Sequence, residues 1–372
     1  MAAAAPLLVH VESMQTAVPT RVAGTGRSLP IAVSGPPLTA EELQRRFRAV
    51  LYYRGAGGEL EAAARERAAW VKESLSAALS DCPEMAGLAG RLRRGGDGRL
   101  WEVKLKDTGV RLVHASVEVT VAAFLEASGA NRERKEAALA LWTDVDAHEP
   151  DICAPFILQL TRFLDGGYAV GVSCSLLLAD PLSLIGFLES RARKHAELQA
   201  QGMHVANPVI QYTRYLQSPG AAKRVKSAST LGAAAAAAAA DNTATTVLFR
   251  AAGTPDHRAL AVACVGKACE MLGVREPPRF TVMDRDGSEG LNVQACACAA
   301  AADGDQKPWR GQGHAPRLAH WREAGLEDME LEGSKPVHVS YSVSPCADEG
   351  LVIVMPAGGA ELLISVTVPN NM

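Results

Sequence analysis

The chain has 372 residues, of which 38 are Lys or Arg and 41 Asp or Glu, giving a formal net charge of −3, and 48% are hydrophobic. This excludes a disordered tail and a collagen-like polymer, which need far fewer apolar residues or a strict glycine period. The near-neutral balance also lacks the basic excess that a phosphate backbone demands, so nucleic acid is not an expected partner.

At roughly 100–200 residues per domain, the length predicts two domains, each able to bury a core. The eight cysteines, at 82, 153, 174, 264, 269, 296, 298 and 346, are too irregular for a disulfide framework, and a reducing cytoplasmic compartment is expected. Residues 1–6 are alanine-rich without a basic start and a long apolar run, so no secretory signal is expected. The most apolar stretch, 172–188, is interrupted by Asp180 and Pro181, well short of the ~20 apolar residues that a transmembrane helix needs.

In chain order, 7–22 reads as extended and 24–37, rich in Gly and Pro, as loop. Thr39 and Glu42 form a capping-box pattern, and Leu43 and Phe47 recur at helical spacing, predicting a short helix. A strand follows at 49–53, ending at Gly55. Residues 59–80, with Leu60, Trp70, Val71, Leu75 and Leu79 among charged residues, predict a long amphipathic helix stopped by Pro83. Strand-sized runs at 100–105 and 110–113 flank the turn chemistry of 106–109. Two more, 156–163 and 168–172, are joined by Asp165-Gly166-Gly167, a hairpin signal. Asp180 as N-cap and Pro181 at N1 open a helix whose inner face is Ile185, Leu188 and Ala192, running out near Gly202.

Residues 207–241 hold Pro208, Pro219, Lys223-Arg224-Val225-Lys226 and an eight-alanine run at 233–240, the composition of an interdomain linker. Beyond it come a strand at 246–250, a helix at 258–272 and a strand at 279–283. Residues 303–322 carry few regular signals, and 336–343, 351–355 and 362–368 predict three terminal strands. Mixed strands and helices in both halves predict an α/β sandwich, not a bundle or a Rossmann repeat. The division expected is 1–205, a crossover linker at 206–243, and a shortened second domain at 244–372.

Several motifs fall short of a chemistry. Gly24-x-Gly26 and Gly55-x-Gly57-Gly58 lack the third glycine of a dinucleotide loop, and no Gly-Lys-Ser/Thr is present. Gly171-Val172-Ser173-Cys174-Ser175 has serine where a nucleophile elbow needs its closing glycine. Cys296-x-Cys298 with His314 and His320 has the wrong sulfur spacing for zinc, so no metal is expected. Cys264 and Cys269 read as core, and Arg45, Arg46 and Arg48 as a solvated face.

Leu88-Ala89-Gly90-Arg91-Leu92 after the long helix, Asp107-Thr108-Gly109-Val110 leading into Val113-His114-Ala115, and the run from Gln159 through Asp165-Gly166-Gly167 occur in register. Together they resemble successive landmarks of the plant BAHD acyl-CoA-dependent acyltransferases. The resemblance continues through Pro336, Val337 and the terminal strands. It implies two domains of the chloramphenicol-acetyltransferase-like type with a channel between them, where acyl-CoA meets an acceptor.

The family signature H-x-x-x-D supplies a histidine that takes the proton of the acceptor hydroxyl or amine as it attacks the thioester. The corresponding run here is Leu176-Leu177-Leu178-Ala179-Asp180, with the aspartate kept and the histidine replaced by leucine. A hydrocarbon accepts no proton, and loss of a positioned base costs ~10²–10⁴-fold in rate. Ser173 and Ser175 are poor bases, and Cys174 has no identifiable neighbour to depress its pKa. Asp180 reads as a helix N-cap, and the resemblance gives it a structural role that can coexist with capping. Its structural partner in the family is an arginine of the other domain, nearest matched by Arg285, which reads equally as a surface turn residue.

The second family signature, D-F-G-W-G-K-P, corresponds to Glu330-Leu331-Glu332-Gly333-Ser334-Lys335-Pro336, keeping only the closing Lys-Pro. That departure is similar to the eceriferum, or glossy, wax-protein branch. The branch implies a part in very-long-chain fatty-acid elongation for cuticular wax beside a membrane-bound condensing enzyme, at the cytosolic face of the endoplasmic reticulum, without need of the histidine. The same departures fit a decaying duplicate. Three readings stay open: a monomeric, catalytically impaired acyltransferase-like protein that binds acyl-CoA or a partner enzyme; a working acyltransferase with another base, such as His338 or His148; and a binding module that never touches acyl-CoA.

Overall fold

The computed structural model describes residues 9–21, 27–31, 33–34, 38–55, 61–95, 101–105, 109–126, 129–201, 244–252, 256–275, 279–285, 291–296, 315–345 and 349–369. Three sheets organise them. The first has six strands in the order β1 (Val9–Ala17), β7 (Val110–Val117), β8 (Phe156–Arg162), β9 (Tyr168–Ser175), β4 (Arg46–Tyr53) and β14 (His338–Ser344). The second has seven: β13 (Arg317–Ala319), β10 (Ala244–Ala252), β16 (Glu361–Pro369), β15 (Gly350–Pro356), β11 (Phe280–Arg285), β12 (Leu291–Cys296) and β3 (Val33–Ser34). A third, small sheet joins β2 (Ser28–Ile31), β6 (Trp101–Lys104) and β5 (Arg91–Arg94). The helices are α1 (Glu61–Asp81), α2 (Val121–Leu125), α3 (Gly129–Leu139), α4 (Pro181–Ala200) and α5 (His257–Leu272).

The hairpin read from Asp165-Gly166-Gly167 forms, with Arg162 opposite Tyr168 and Phe156 opposite Cys174. Gly166 takes φ +76°, a left-handed conformation that costs a side-chain-bearing residue. The Asp165 carboxylate accepts from the backbone N–H of Gly167 and of Val121, each at 3.2 Å, and so ties the turn to α2. Further along β9, a Cβ on Gly171 would stand 1.9 Å from the Leu139 carbonyl oxygen, so only glycine lets α3 settle on this strand.

β9 is buried along its whole length because β8 and β4 pair on its two edges. α1 and α4 pack together, with Val71, Leu75 and Leu79 meeting Leu184, Ile185 and Leu188 in one core. That core also holds Met283, Leu291 and Ile353 from the second sheet, so it is continuous between the halves. A second core lies under α5, where Leu260, Cys264 and Val265 meet Phe280, Val352 and Ile364. Each half also lends the other a strand: β14 pairs with β4, His338 opposite Tyr52, and β3 pairs with β12, Val33 opposite Leu291.

Several expectations are corrected. The capping box forms, with the Thr39 N–H donating to Glu42 Oε2 at 2.8 Å and the Glu42 N–H to Thr39 Oγ1 at 3.2 Å. It caps only the 3₁₀ turn Glu42–Gln44, however, because β9 and β14 claim the backbone of the following residues, and Phe47 belongs to β4. The strand there starts at Arg46 rather than 49. The short strands β2, β3, β5 and β13 and the helix α3 gave no periodic apolar signal; α3 carries Arg132, Arg134, Lys135 and Glu136 through its middle. The residues on either side of 106–108 enter different sheets, and 106–108 itself, like the linker at 206–243, falls outside the described residues.

Candidate functional site

β9 ends at Ser175, and the chain then turns tightly into α4. The Leu176 N–H donates to the Arg45 carbonyl at 3.1 Å, the Leu177 N–H to Ser175 Oγ at 3.3 Å and the Leu178 N–H to the Ser175 carbonyl at 3.1 Å. Leu176 and Leu177 are each 2% exposed and belong to the core shared by the two halves.

The polar residues just upstream are spent on structure. Ser173 Oγ donates to the Ala140 carbonyl at 2.9 Å, and burial pushes the Cys174 thiol far above its ordinary pKa, so it holds no thiolate at neutral pH. Gly171 to Ser175 lie within β9, with no strand-to-helix elbow to expose Ser173.

Asp180 caps α4 as read, its Oδ1 accepting from the Ser183 N–H at 3.0 Å and its Oδ2 from the Ser183 hydroxyl. Arg285, at the end of β11, points across the interface and donates to the Leu177 carbonyl at 2.7 Å. Burial lowers the Arg285 pKa, and the Asp180 charge opposes that fall. Asp180 and Arg285 thus share one locality, each with its hydrogen bonds to other atoms.

Between them and Leu176 lies a cavity of about 10 Å³, lined also by Met283, Asp284 and Ile353. That is room for about one water molecule. Among the described residues no histidine lines it. His338 stands on β14 with its Nε2 3.2 Å from Ser340 Oγ, and His148 borders a different cavity.

One imidazole that sequence reasoning missed touches a cavity-lining residue: His257 Nδ1 is 3.0 Å from Asp284 Oδ2, which also meets Asn292 Nδ2 at 3.4 Å. Alternation along β11 sets Asp284 on the face of Phe280 and Val282, under α5, opposite Met283 and Arg285. The two residues lie far apart in sequence, with no local signature to join them.

The basic cluster is corrected. Arg45 is 1% exposed, not solvated; its Nη2 donates to Thr281 Oγ1 at 2.9 Å and lies 3.7 Å from Glu349, while Nη1 lies 3.1 Å from Glu42. It therefore clamps the second half to the first. Arg46 donates to the Gln44 carbonyl and lies over the Trp142 ring at 5.6 Å, and burial pulls the Arg48 pKa down to about 9. A strand paired on both edges turns alternate side chains into packed faces, and Arg46 and Arg48 go with them.

With the geometry in place, comparison gives the relationship. Residues 56–247, just over half of the chain, match the family described as Transferase family. The chain belongs to this BAHD-type acyltransferase family. Its fold is similar to that of vinorine synthase, with a TM-score of 0.50 and 14% identity over 98% of this chain and 95% of that one. The likeness shows the two-domain chloramphenicol-acetyltransferase-like fold. TRI101 of F. sporotrichioides, complexed with coenzyme A and T-2, gives a TM-score of 0.43 and 12% identity over 91% and 95% of the two chains. No curated protein matches the sequence.

In this BAHD-type chain the stretch from Glu330 to Pro336 is a tight hairpin turn. Leu331 and Ser334 exchange backbone hydrogen bonds at 2.9 and 3.1 Å around Glu332 and Gly333, at φ +52° and +73°. Arg67 on α1 holds Glu332 with Nε and Nη2, each at 2.8 Å, and lies 4.1 Å from the Tyr168 ring centroid. Tyr168 stacks on Tyr53 at 4.9 Å, and Lys335 pairs with Asp328 at 2.8 Å. None of the seven residues lines the cavity beside Leu176.

Of the rejected metal ligands, Cys298 and His314 fall outside the described residues, Cys296 is buried in β12, and His320 precedes a 3₁₀ turn. Among the described residues no cluster of three or more His, Cys, Asp or Glu could hold a metal ion. Cys264 and Cys269 lie on the buried face of α5, in the second core. No described helix is long and apolar enough to cross a membrane.

Proposed function

We propose that this chain is a catalytically impaired acyltransferase-like protein, a BAHD-type fold in which Leu176 stands where its relatives keep the general base. The observation that carries this reading is the buried Leu176 side chain beside a cavity of about 10 Å³. Acyl transfer needs a base to take the acceptor proton while the acceptor oxygen or nitrogen bonds to the thioester carbonyl carbon and the coenzyme thiolate leaves. Leu176 itself accepts no proton, the carboxylates beside it, Asp180 and Asp284, are engaged with Ser183 and with His257 and Asn292, and the cavity of about 10 Å³ has room for about one water.

In this reading 1–205 and 244–372 are the two domains, and Asp180 and Arg285 are structural. Acyl-CoA is the ligand class that the family resemblance carries over. The wax-branch likeness of Glu330 to Pro336 adds a supporting role in very-long-chain fatty-acid elongation, beside a membrane-bound condensing enzyme at the cytosolic face of the endoplasmic reticulum.

The test is release of free coenzyme A from several acyl-CoA thioesters in the presence of alcohols and amines. Wild type is expected to match an Asp180→Ala control, and Leu176→His to gain at most a trace, because the cavity is too small. Wild-type turnover well above the control overturns the reading. His257, held by Asp284, would then be the base to examine, and its substitution by Gln would have to abolish that turnover.

A further inference from the structure

A second cavity, of about 240 Å³, lies between β5, β6 and the loop before β8, and shares no lining residue with the one beside Leu176. It is lined by Arg91, Arg93, Arg94, Lys104, His148 and Asp151, among others. Four cations face one lining carboxylate in a chain whose net charge is −3.

The guanidinium groups are held in place. Arg91 is 6% exposed, and its Nη1 donates to the carbonyls of Gly90 at 2.8 Å and Gly109 at 3.0 Å. Arg93 engages Glu102 through Nε and Ser28 Oγ through Nη2 at 3.1 Å. Arg94 lies over the Trp101 ring at 4.8 Å. Anchored side chains lose little further rotamer freedom when a ligand arrives. Planar N–H donors suit phosphate oxygens, and several cations in a concave site raise the local concentration of anions.

We infer that this groove binds a phosphate or diphosphate group. Its volume falls just below the ~300–1,000 Å³ of sites that engulf a whole drug-sized ligand, so it suits an anionic group with the rest of the molecule outside. That group belongs either to a soluble molecule or to a lipid head.

The test is calorimetric titration of the full chain with sodium pyrophosphate and with ADP, alongside sedimentation with phosphatidylcholine vesicles that contain phosphatidic acid. The variant is Arg94→Ser with Lys104→Ser, both on the small sheet and neither lining the cavity beside Leu176. Saturable binding to pyrophosphate or ADP, weakened at least about tenfold in the variant, supports the site, since a charge-assisted hydrogen bond contributes about that much. Sedimentation that the variant loses, without binding of the soluble ligands, supports the site with a lipid head as the source. Absence of binding in every arm, or equal binding by the variant, overturns the inference. A thermal melt of the variant that matches wild type shows that lost binding is not lost fold.

Discussion

The Arg285 guanidinium donates to the Leu177 carbonyl at 2.7 Å, so a strand of the second half holds the backbone one residue beyond Leu176 in the first. Arg45 works in the opposite direction: its own carbonyl accepts from the Leu176 N–H at 3.1 Å while its side chain reaches Thr281. Two arginines thus fasten the same turn from both sides of the interface. In a water-poor setting such bonds are costly to remove, because the partner carbonyl is left unpaired.

Replacing Arg285 by Ala is therefore expected to destabilise the fold by about 1.5–3 kcal/mol, the range for a hydrogen bond to a charged group. Urea unfolding of the variant beside wild type checks this. A change within error would mean that water replaces the guanidinium at the Leu177 carbonyl.

Leu176→Ala leaves an apolar void in the core between the halves, and the expected cost is about 2–5 kcal/mol. A leucine bordering an open channel would cost far less to trim. Denaturant midpoints for Leu176→Ala thus report directly on whether this position is closed.

The buried histidines give a pH dependence. Burial lowers both His114 and His195 from 6.5 to about 4, with Arg191 adding to the fall at His195. The native state holds them neutral while the unfolded chain binds their protons, so their contribution is complete above about pH 6.5 and is lost as pH falls toward about 4. Each group adds at most about 1.4 kcal/mol per pH unit across that window. A melt series from neutral to mildly acid pH should show falling stability, with a shallower slope in His114→Gln and His195→Gln.

Gly171→Ala drives a methyl group to 1.9 Å from the Leu139 carbonyl, and backbone must move to admit it. The expected loss is about 1–3 kcal/mol or more, the range for an overpacked core. Circular dichroism melts of the purified variant measure it, and an unchanged midpoint would show that α3 can slide off β9 freely.

Local chemistry made much of the fold legible. Asp180-Pro181 opened α4, Asp165-Gly166-Gly167 closed the β8–β9 hairpin, and Pro83 ended α1, because caps and turns are satisfied by groups a few residues away. Thr39 and Glu42 marked their turn equally well, yet the helix they would open was overridden by pairing with β9 and β14. The leucine at 176 and the aspartate at 180 were visible as residue types.

Chain order and residue type thus determined the longer strand and helix segments, the hairpin, the α/β class and the family landmarks. Only the tertiary structure decided that Arg45 is buried against Thr281, that β14 and β3 trade sheets, and that the cavity beside Leu176 has room for about one water. The reason is range: a cap or a turn draws its partners from adjacent residues, whereas burial of a cation and closure of a cavity depend on strands brought together from opposite ends of the chain.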